Sequence, residues 1–380
     1  MRVPGLRALK HTAKLHYMNA RGWRSDRKIV VMESDDWGAV RMASREARSK
    51  LQDFGLDLAK CHYTSLDALE SEKDLSALFE VLTSVRNVRG QHPKMTANVL
   101  VANPDFDKIK EADFQAYYLE YLPDTLAKYP EHAGVLDMWK EGVERKIFRP
   151  QLHGREHLNV ARWMSALQSD SKDTRLAFDL GVFALSTTVT SEKRASYLAA
   201  FDPGAGGQSV DYRGILEDAA GTFERLLGYP SRSFIAPNYV WNEEVEAILH
   251  PLGIRYLQGG RVQQYPTPAG GKAPVAHYLG QRNKLGQIYL LRNCHFEPSS
   301  QPNKNWIDSC LREVEVAFRW KKPAVISTHR VNFIGFIEPS NRETNLQMFR
   351  KLLKQIVQRW PEVEFLSSDE LGQAIENHEQ

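Results

Sequence analysis

The sequence predicts an α/β fold, namely a distorted or incomplete (β/α) barrel of about seven strands with helical insertions. Short apolar runs of strand length alternate with longer segments whose apolar residues recur at helical spacing, which indicates parallel strands joined by helices. About seven or eight such units fit a chain of 380 residues. Neither GxGxxG nor a phosphate-binding GxxxxGK-Ser/Thr motif follows the first strand, so a nucleotide-binding sheet is not favoured.

Apolar runs bounded by turn-forming residues place the strands, and apolar residues at helical spacing place the helices between them. The predicted strands are Ile29–Met32, Met95–Val101, Ile147–Leu152, Ser233–Pro237, Ile254–Leu257, Gln287–Arg292, Ala324–Thr328 and Val363–Leu366. The predicted helices are Met42–Phe54, Ser65–Asn87, Glu111–Val143 with a break near Pro130, His157–Leu167, Ser191–Ala200, Asp211–Leu227, Asn242–Pro251, Trp306–Arg319, Arg342–Gln358 and Asp369–Glu376. Asp202–Gly207 is predicted as a loop, and Gly259–Pro274 as a long loop or an irregular insertion. We expect residues 1–27 to form a basic lead-in segment and residues 28–380 a single barrel domain.

The composition excludes several classes of protein. Fifty basic and forty-seven acidic residues leave a formal net charge of +3, which is too balanced to indicate nucleic acid or an anionic membrane surface as a partner. The three cysteines, Cys61, Cys294 and Cys310, lack CxxC spacing, so neither a disulfide framework nor a thiolate zinc site is indicated. The sequence contains neither a signal-peptide pattern nor a run of about 18 apolar residues. We therefore expect a cytoplasmic protein without a membrane span.

The stretch Lys28–Gly38 carries the first chemical signal. Its apolar run ends in polar residues that include Asp35 and Asp36, as expected of a buried strand whose C-terminal end meets a pocket. Ligands and chemistry gather at that end in barrels of parallel strands. Two adjacent carboxylates point in different directions, so one is available to a metal and the other to a proton. The alternative is a solvated acidic turn, with Trp37 covering the core.

A histidine pair, His153 and His157, follows one predicted strand and opens a predicted helix. Histidines four residues apart on a helix project from one face, so both imidazoles can reach one ion. The zincin pattern HExxH is not matched, because Glu156 adjoins His157 and not His153. Two imidazoles and one carboxylate, with positions left open for water, make a catalytic zinc-type site. The alternative is a pair of polar residues at a helix start.

Two further groups of candidate residues end strands. Thr328-His329 places a histidine where the near-neutral pKa of an unperturbed imidazole suits a general acid, although a histidine held by nearby backbone is the alternative. The turn Ala236–Asn242 ends another strand, and its N–H groups and aromatic rings suit an oxyanion and a sugar face. A helix entry with Trp241 in the core explains that turn equally well.

The segment Arg292–Glu297 also follows a strand, and it carries His295 and Glu297 toward the same end. It would supply a substrate contact or the partner that tunes His329. An ordinary polar loop is the alternative.

Together these groups resemble the motifs of the polysaccharide deacetylases, which are metal-dependent carbohydrate esterases, and they stand in the same chain order. Ser34-Asp35-Asp36 resembles the acid pair of the first motif. His153–His157 matches both histidines of the second motif. Thr328-His329 is similar to the last motif, a histidine carried by a strand. The resemblance covers residues 28 to 330.

Two motifs depart from the family pattern. Gly154 stands where the second motif has a hydroxyl residue. Ile235–Asn238 resembles only half of the third motif, Arg-x-Pro-aromatic, because Ile235 takes the arginine position and the aromatic is displaced to Tyr239. In the family that arginine orients the base carboxylate. The sequence leaves three candidate replacements open: Arg149, Arg155 and Arg292.

The resemblance implies a hydrolase that removes an acetyl group from an N-acetylated sugar or polysaccharide. It implies that Asp36, His153 and His157 bind a divalent metal, with zinc as the first choice and cobalt, nickel or iron as alternatives. By motif position, Asp35 is expected to be the general base and His329 the general acid. The expected substrate is an acetylated saccharide, and the sequence gives no oligomeric state.

The remaining expected contacts concern the oxyanion and the sugar. A backbone N–H near Asn238 or Tyr239 is expected to hold the oxyanion. Trp37, Arg155 and His295 are expected to contact substrate.

Two other functions stay open. A glycoside hydrolase would use two carboxylates, such as Asp35 with Glu297 or Glu243, but it leaves the histidine pair without a role. A carbohydrate-binding protein on the same fold, without activity, would explain the missing arginine at Ile235.

Overall fold

Strands and helices alternate along the chain in a computed structural model, which describes residues 6–203, 210–267 and 271–378. The strands are β1 (Ile29–Trp37), β2 (Met95–Leu100), β3 (Ala102–Pro104), β4 (Leu119–Tyr121), β5 (Phe148–Gly154), β6 (Ser233–Ile235), β7 (Tyr256–Gly259), β8 (Val262–Pro266), β9 (Lys272–Ala276), β10 (Ile288–Leu291), β11 (Cys294–His295), β12 (Ala324–His329) and β13 (Glu364–Leu366). The α-helices are α1 (Leu6–Asn19), α2 (Arg45–Asp53), α3 (His62–Leu66), α4 (Glu72–Thr83), α5 (Phe106–Glu111), α6 (Leu122–Ala127), α7 (Val135–Glu144), α8 (Val160–Gln168), α9 (Lys172–Asp179), α10 (Tyr212–Leu227), α11 (Glu243–Leu249), α12 (Trp306–Arg319), α13 (Pro339–Arg359) and α14 (Ser368–His378).

The sheet that positions the site consists of nine parallel strands among the described residues. Its path is β10-β7-β6-β5-β2-β1-β12-β11, and β13 pairs with the start of β1. The two ends of this path, β10 and β11, are separated in the chain only by Arg292 and Asn293. The N–H of Arg292 donates to Gly259 of β7 at 2.9 Å, and the N–H of Asn293 donates to Val325 of β12 at 3.1 Å. The sheet therefore closes, and the predicted distorted (β/α) barrel is confirmed.

The interior of the barrel is apolar at the N-terminal end of its strands. Ile29 and Val31 of β1 pack inside with Leu371 of α14, and that helix covers this end. The alternate residues Val30 and Met32 pack in the main core, which lies between the sheet and the surrounding helices. Because side chains alternate along a strand, the polar residues that follow Val31 at every second position point into the barrel.

Three predicted elements are wrong in whole or in part. The predicted helix Glu111–Val143 is broken before Pro130 as well, because Leu119–Tyr121 forms β4 and pairs antiparallel with β3. Ser191–Ala200 contains no helix in the structure, because its backbone forms hydrogen bonds with other segments. The N–H and hydroxyl of Ser191 donate to Asp173, and the carbonyl oxygen of Tyr197 accepts from the N–H of Asn159. Gly259–Pro274 is not one loop, since β8 and β9 pair as an antiparallel hairpin within it. The predicted loop Asp202–Gly207 lies mostly outside the described residues.

Part of the basic lead-in segment is ordered against the barrel, because α1 packs on α12. The assignment of residues 28–380 to one domain stays a prediction. Within the described ranges, every helix is too short or too polar to cross a lipid bilayer.

Candidate active site

Asp35 and Asp36 both line a cavity of about 170 Å³ at the C-terminal end of the barrel strands. The register of β1 against β2 shifts by one residue between Ser34 and Trp37, so β1 contains a bulge there. Asp36 has a left-handed φ of 76°, which is uncommon for a residue with a side chain. The bulge and this φ turn two consecutive carboxylates toward one cavity, where a regular strand would send them to opposite faces.

Asp36, His153 and His157 form a compact group of buried metal-ligating side chains. Each offers one ligand atom, and these atoms lie within 4.8 Å of one another. Oδ1 of Asp36 is 3.5 Å from Nε2 of His153 and 3.4 Å from Nε2 of His157. Burial lowers the pKa of His157 to about 3, so its imidazole is neutral at physiological pH, as a metal ligand must be.

The hydrogen bonds of His153 support a metal-binding orientation. Its Nδ1 lies 2.8 Å from the carbonyl oxygen of Ile235, and a carbonyl only accepts, so the network assigns the proton to Nδ1. Nε2 then carries a lone pair, and this buried atom has no hydrogen-bond partner among the described residues. A backbone carbonyl that orients a ligating histidine is a common feature around protein metals. The residues therefore fit a divalent metal.

The histidine pair does not lie on a helix, contrary to the sequence prediction. His153 ends β5, and His157 lies in the turn before α8. The register between β2 and β5 shifts by one residue at His153, and Gly154 adopts a φ of 130°. This bulge and the positive φ of Gly154, which glycine adopts readily, redirect the end of β5 so that both imidazoles reach Asp36.

Arg292 binds Asp35 in place of the arginine that the third motif has where this chain has Ile235. Its Nη1 and Nη2 donate to the two oxygens of Asp35 at 2.7 and 2.6 Å, and its Nε donates to Glu33 at 2.6 Å. Asn98 donates to Asp35 at 2.7 Å. Burial alone raises the pKa of Asp35, but the charge and hydrogen bonds of Arg292 outweigh it, so the pKa is lowered and Asp35 is ionised.

The other two candidate arginines serve different partners. Arg149 donates to Asp369 at 3.0 Å, at the opposite end of β5 from His153. Arg155 pairs with Glu156 at 2.7 Å. Of the three candidate arginines, Arg292 is therefore the one that binds Asp35.

His329 lies directly opposite Asp35 in the pairing of β12 with β1. Its Nε2 is 3.7 Å from Oδ2 of Asp35, and its Nδ1 is 2.5 Å from Oε1 of Glu297. The hydroxyl of Tyr63 lies 3.0 Å from the same Nδ1, and Asn332 donates to the second oxygen of Glu297 at 2.6 Å. Burial lowers the pKa of His329, but the charge and hydrogen bond of Glu297, with Asp35, outweigh burial and raise it to about 9. His329 is therefore protonated at neutral pH.

The turn after β6 offers one free backbone donor. The N–H of Tyr239 donates to Ala236 at 2.9 Å, so it is already engaged. The N–H of Asn238 has no acceptor among the described residues, and Asn238 lines the cavity with a left-handed φ of 56°. The hydroxyl of Tyr239 accepts a hydrogen bond from Arg292 at 3.1 Å, which fixes the aromatic ring at the cavity wall.

Three predicted substrate contacts lie away from the cavity. The bulge returns the side chain of Trp37 to the outer face of the sheet, so this residue is fully buried in the main core. Its indole N–H donates to the hydroxyl of Ser34. Arg155 is held by its ion pair with Glu156. His295 is half exposed beside Glu313 on the outer side of β11. None of these three side chains lines the cavity.

Several cavity residues were not predicted from the sequence. Tyr63, Arg41 and Leu198 line the cavity, and Asn98 lies beside it as a hydrogen-bond donor to Asp35. Asn98 had a detectable signal, since it interrupts the apolar strand Met95–Leu100 at an inward position. The others reach the cavity through loops and long-range packing, which sequence spacing does not reveal.

Comparisons with known proteins give likenesses of fold only. No protein-family model matches the chain, and no curated protein matches it significantly. A protein assigned as a polysaccharide deacetylase from Mycobacterium smegmatis is 10% identical with a TM-score of 0.41, and the match covers 94% of each chain. The PuuE allantoinase is 8% identical with a TM-score of 0.46, over 92% of this chain and 91% of the other.

A CE4 family pseudoenzyme from Bacillus anthracis is 12% identical with a TM-score of 0.34, over 91% of this chain and 66% of the other. With TM-scores below 0.5 and identities of 12% or less, none of these three likenesses decides the function of this chain.

Proposed function

We propose that the protein is a metal-dependent amide hydrolase that removes an acetyl group from an N-acetylated sugar. The observation that carries this proposal is the convergence of Asp36, His153 and His157 within 4.8 Å in one cavity. Asp35 and His329, which face each other on neighbouring strands, flank that group. A ligand set with an adjacent base and acid is the arrangement that metal-assisted hydrolysis requires.

The residues divide the reaction between them. A divalent metal held by Asp36, His153 and His157, with zinc first and cobalt, nickel or iron as alternatives, would polarise the amide carbonyl and lower the pKa of a water. Asp35 takes the proton of the attacking water as the new C–O bond forms. His329 then gives its Nε2 proton to the nitrogen as the C–N bond breaks, so acetate and an amine leave.

The cavity walls suit the acetyl group and a sugar. Ala236 and Leu198 line the cavity and offer apolar contact to a methyl group. The N–H of Asn238 is available to the carbonyl oxygen as negative charge develops on it. The rings of Tyr63 and Tyr239 offer apolar faces to a sugar ring. The resemblance to the deacetylase motifs supports the same substrate class.

The two alternative functions have less support. Glu243 is 66% exposed, pairs with Lys284 and lines a different cavity. Glu297 is engaged by His329 and Asn332, so neither glutamate faces Asp35 as the second acid of a glycoside hydrolase. The argument for an inactive binding protein rested on the arginine missing at Ile235, and Arg292 now occupies that role.

Acetate release from N-acetylated saccharides tests the proposal, with the protein as purified, after chelation, and after metal is restored. Metal-dependent acetate supports it, whereas release of reducing ends without metal supports the glycoside hydrolase. Asp36→Ala is expected to lose the metal. Asp35→Asn is expected to keep the metal and to lower kcat by about 10²- to 10⁴-fold, the usual contribution of a general base. Asp57→Asn, at an exposed carboxylate, is the control. Full activity of Asp35→Asn would contradict the assigned role.

A further inference from the structure

Arg41 is a buried cation in the wall of the catalytic cavity, and the proposed reaction does not use it. It lies in the loop after β1 and is only 5% exposed. Its Nη1 has no hydrogen-bond partner among the described residues, although it is buried. Its Nε is 3.8 Å from Oδ2 of Asp67, which is beyond the reach of a hydrogen bond. A buried guanidinium is costly unless its donors are satisfied.

Asp67, which lies beside Arg41, does not satisfy it. Oδ1 of Asp67 accepts a hydrogen bond from Nε of Arg330 at 3.1 Å. Its Oδ2, which faces Arg41, has no hydrogen-bond partner of its own among the described residues. Arg41 and Asp67 are therefore neighbours, but they do not form a bidentate hydrogen-bonded ion pair.

Arg292 shows what a satisfied buried arginine looks like in this protein. It is 2% exposed, and it donates to two carboxylates at 2.6 to 2.7 Å. Arg41 has similar burial and lines the same cavity as Asp36, yet the part of the chain that the structure describes gives it no comparable acceptor. The unpaired Nη1 of Arg41 therefore indicates an acceptor that comes from outside the chain.

We propose that Arg41 binds an anionic group of the substrate, either a carboxylate or a phosphate. This rests on the proposed function, and it narrows the substrate class to acidic N-acetylated sugars. The planar fork of a guanidinium matches the two oxygens of either anion. The hydroxyl of Tyr63, which lines the same cavity, offers a further polar contact.

The size of the cavity places the anion close to the scissile amide. Its volume of about 170 Å³ is below the roughly 300 Å³ at which sites for larger ligands begin. Arg41 and the metal-ligating group share this space, so the anion is carried by the same sugar residue as the acetyl group.

The test compares Arg41→Met with Arg45→Met in the full-length protein. Arg45 is exposed, lies four residues away outside the cavity, and its loss changes the net charge equally. The ligands are N-acetylglucosamine, which is neutral, N-acetylmuramic acid, which carries a carboxylate, and N-acetylglucosamine 6-phosphate. For each, binding is measured by calorimetry and kcat/KM by acetate release, with metal content and circular dichroism as checks on folding.

The wild type is expected to prefer one of the acidic sugars over the neutral one. Arg41→Met should weaken binding of that sugar by about ten- to a hundredfold, the usual effect of losing hydrogen bonds to a charged group. It should leave the neutral sugar unchanged, and Arg45→Met should change neither. Which acidic sugar responds distinguishes a carboxylate from a phosphate.

Two results would overturn the proposal: no preference of the wild type for either acidic sugar, or equal losses for acidic and neutral sugars in Arg41→Met. If Arg41→Met does not fold, Arg41→Lys keeps the charge and loses the fork, and the same selective loss is expected. The calorimetric result stands without turnover. If the wild type binds an acidic sugar selectively but releases no acetate, the proposed reaction is refuted, whereas the assignment of Arg41 as an anion-binding residue is still supported.

Discussion

Replacing Glu297 by glutamine perturbs the proposed general acid without touching the metal-ligating group. The substitution keeps the shape of the side chain and removes one negative charge. Oε1 of Glu297 is 2.5 Å from Nδ1 of His329, and this glutamate is the strongest of the groups that raise the pKa of that histidine. Without it, only Asp35 and Asp36 oppose the effect of burial, and the pKa of His329 is expected to fall.

The magnitude follows from the pKa values. A rise from 6.5 to about 9 corresponds to roughly 3 kcal/mol at about 1.4 kcal/mol per pH unit, and His329 is only 23% exposed. A histidine whose pKa is raised on folding stabilises the protein fully below its unfolded value, near 6.5. That stabilisation is lost as the pH rises through about 9. The wild type should therefore lose up to about 3 kcal/mol of unfolding free energy between pH 6 and pH 10 from this group.

The assay is a pH profile of kcat together with urea unfolding at pH 6, 8 and 10. In Glu297→Gln the basic limb of the profile should move to lower pH. A return of the His329 pKa to its ordinary 6.5 would leave about a tenth of the histidine protonated at about pH 7.5, so kcat should fall up to about tenfold and recover on acidification. Glu243→Gln, at an exposed carboxylate, should behave as the wild type. If Glu297→Gln keeps the wild-type basic limb, the reasoning about His329 is refuted.

Three further predictions concern the rest of the site. Arg292→Lys should keep the metal and lower kcat by about ten- to a hundredfold, because an ammonium cannot bind Asp35 at two points; unchanged kcat would contradict this. Gly154→Ala should cost about 1–3 kcal/mol in urea unfolding and weaken metal binding, because its φ of 130° is strained for any other residue. Gly228→Ala, at a left-handed φ of 76° that ends α10, should cost stability and leave metal affinity unchanged. Chelation should lower the Tm, and metal at a hundredfold excess over its Kd should restore about 2.7 kcal/mol; Asp36→Ala should show no such response.

The sequence predicted the parts of the site that depend on where strands end. Asp35, Asp36, His153 and His329 each follow an apolar run, and the C-terminal ends of parallel strands share one end of a barrel. The barrel class, and helices such as Trp306–Arg319, followed from the same periodicity. These features are local in the chain, so spacing and residue type suffice to find them.

The remaining features depend on backbone detail and on distant contacts. The bulge in β1 places Trp37 in the core. A prediction based on strict alternation of side chains along the strand does not include this bulge. Arg292, the partner of Asp35, lies 257 residues away in the chain. It could be identified among the three candidate arginines only from the closed sheet, which brings the two residues together. His153 and His157 meet because of the bulge at His153 and the positive φ of Gly154, whereas their spacing suggested a helix.

The closure of the sheet has a consequence for the cooperativity of folding. The segment between β10 and β11 joins both edges of the sheet, through Arg292 to β7 and through Asn293 to β12. The same segment carries the guanidinium that donates hydrogen bonds to both Glu33 and Asp35. A half-open intermediate would bury these two carboxylates without a counter-charge, at a cost on the order of 3–5 kcal/mol, so it should be scarcely populated. The final step of folding and the assembly of the catalytic groups are then one event, and a circular permutant cut at this segment would lose both together.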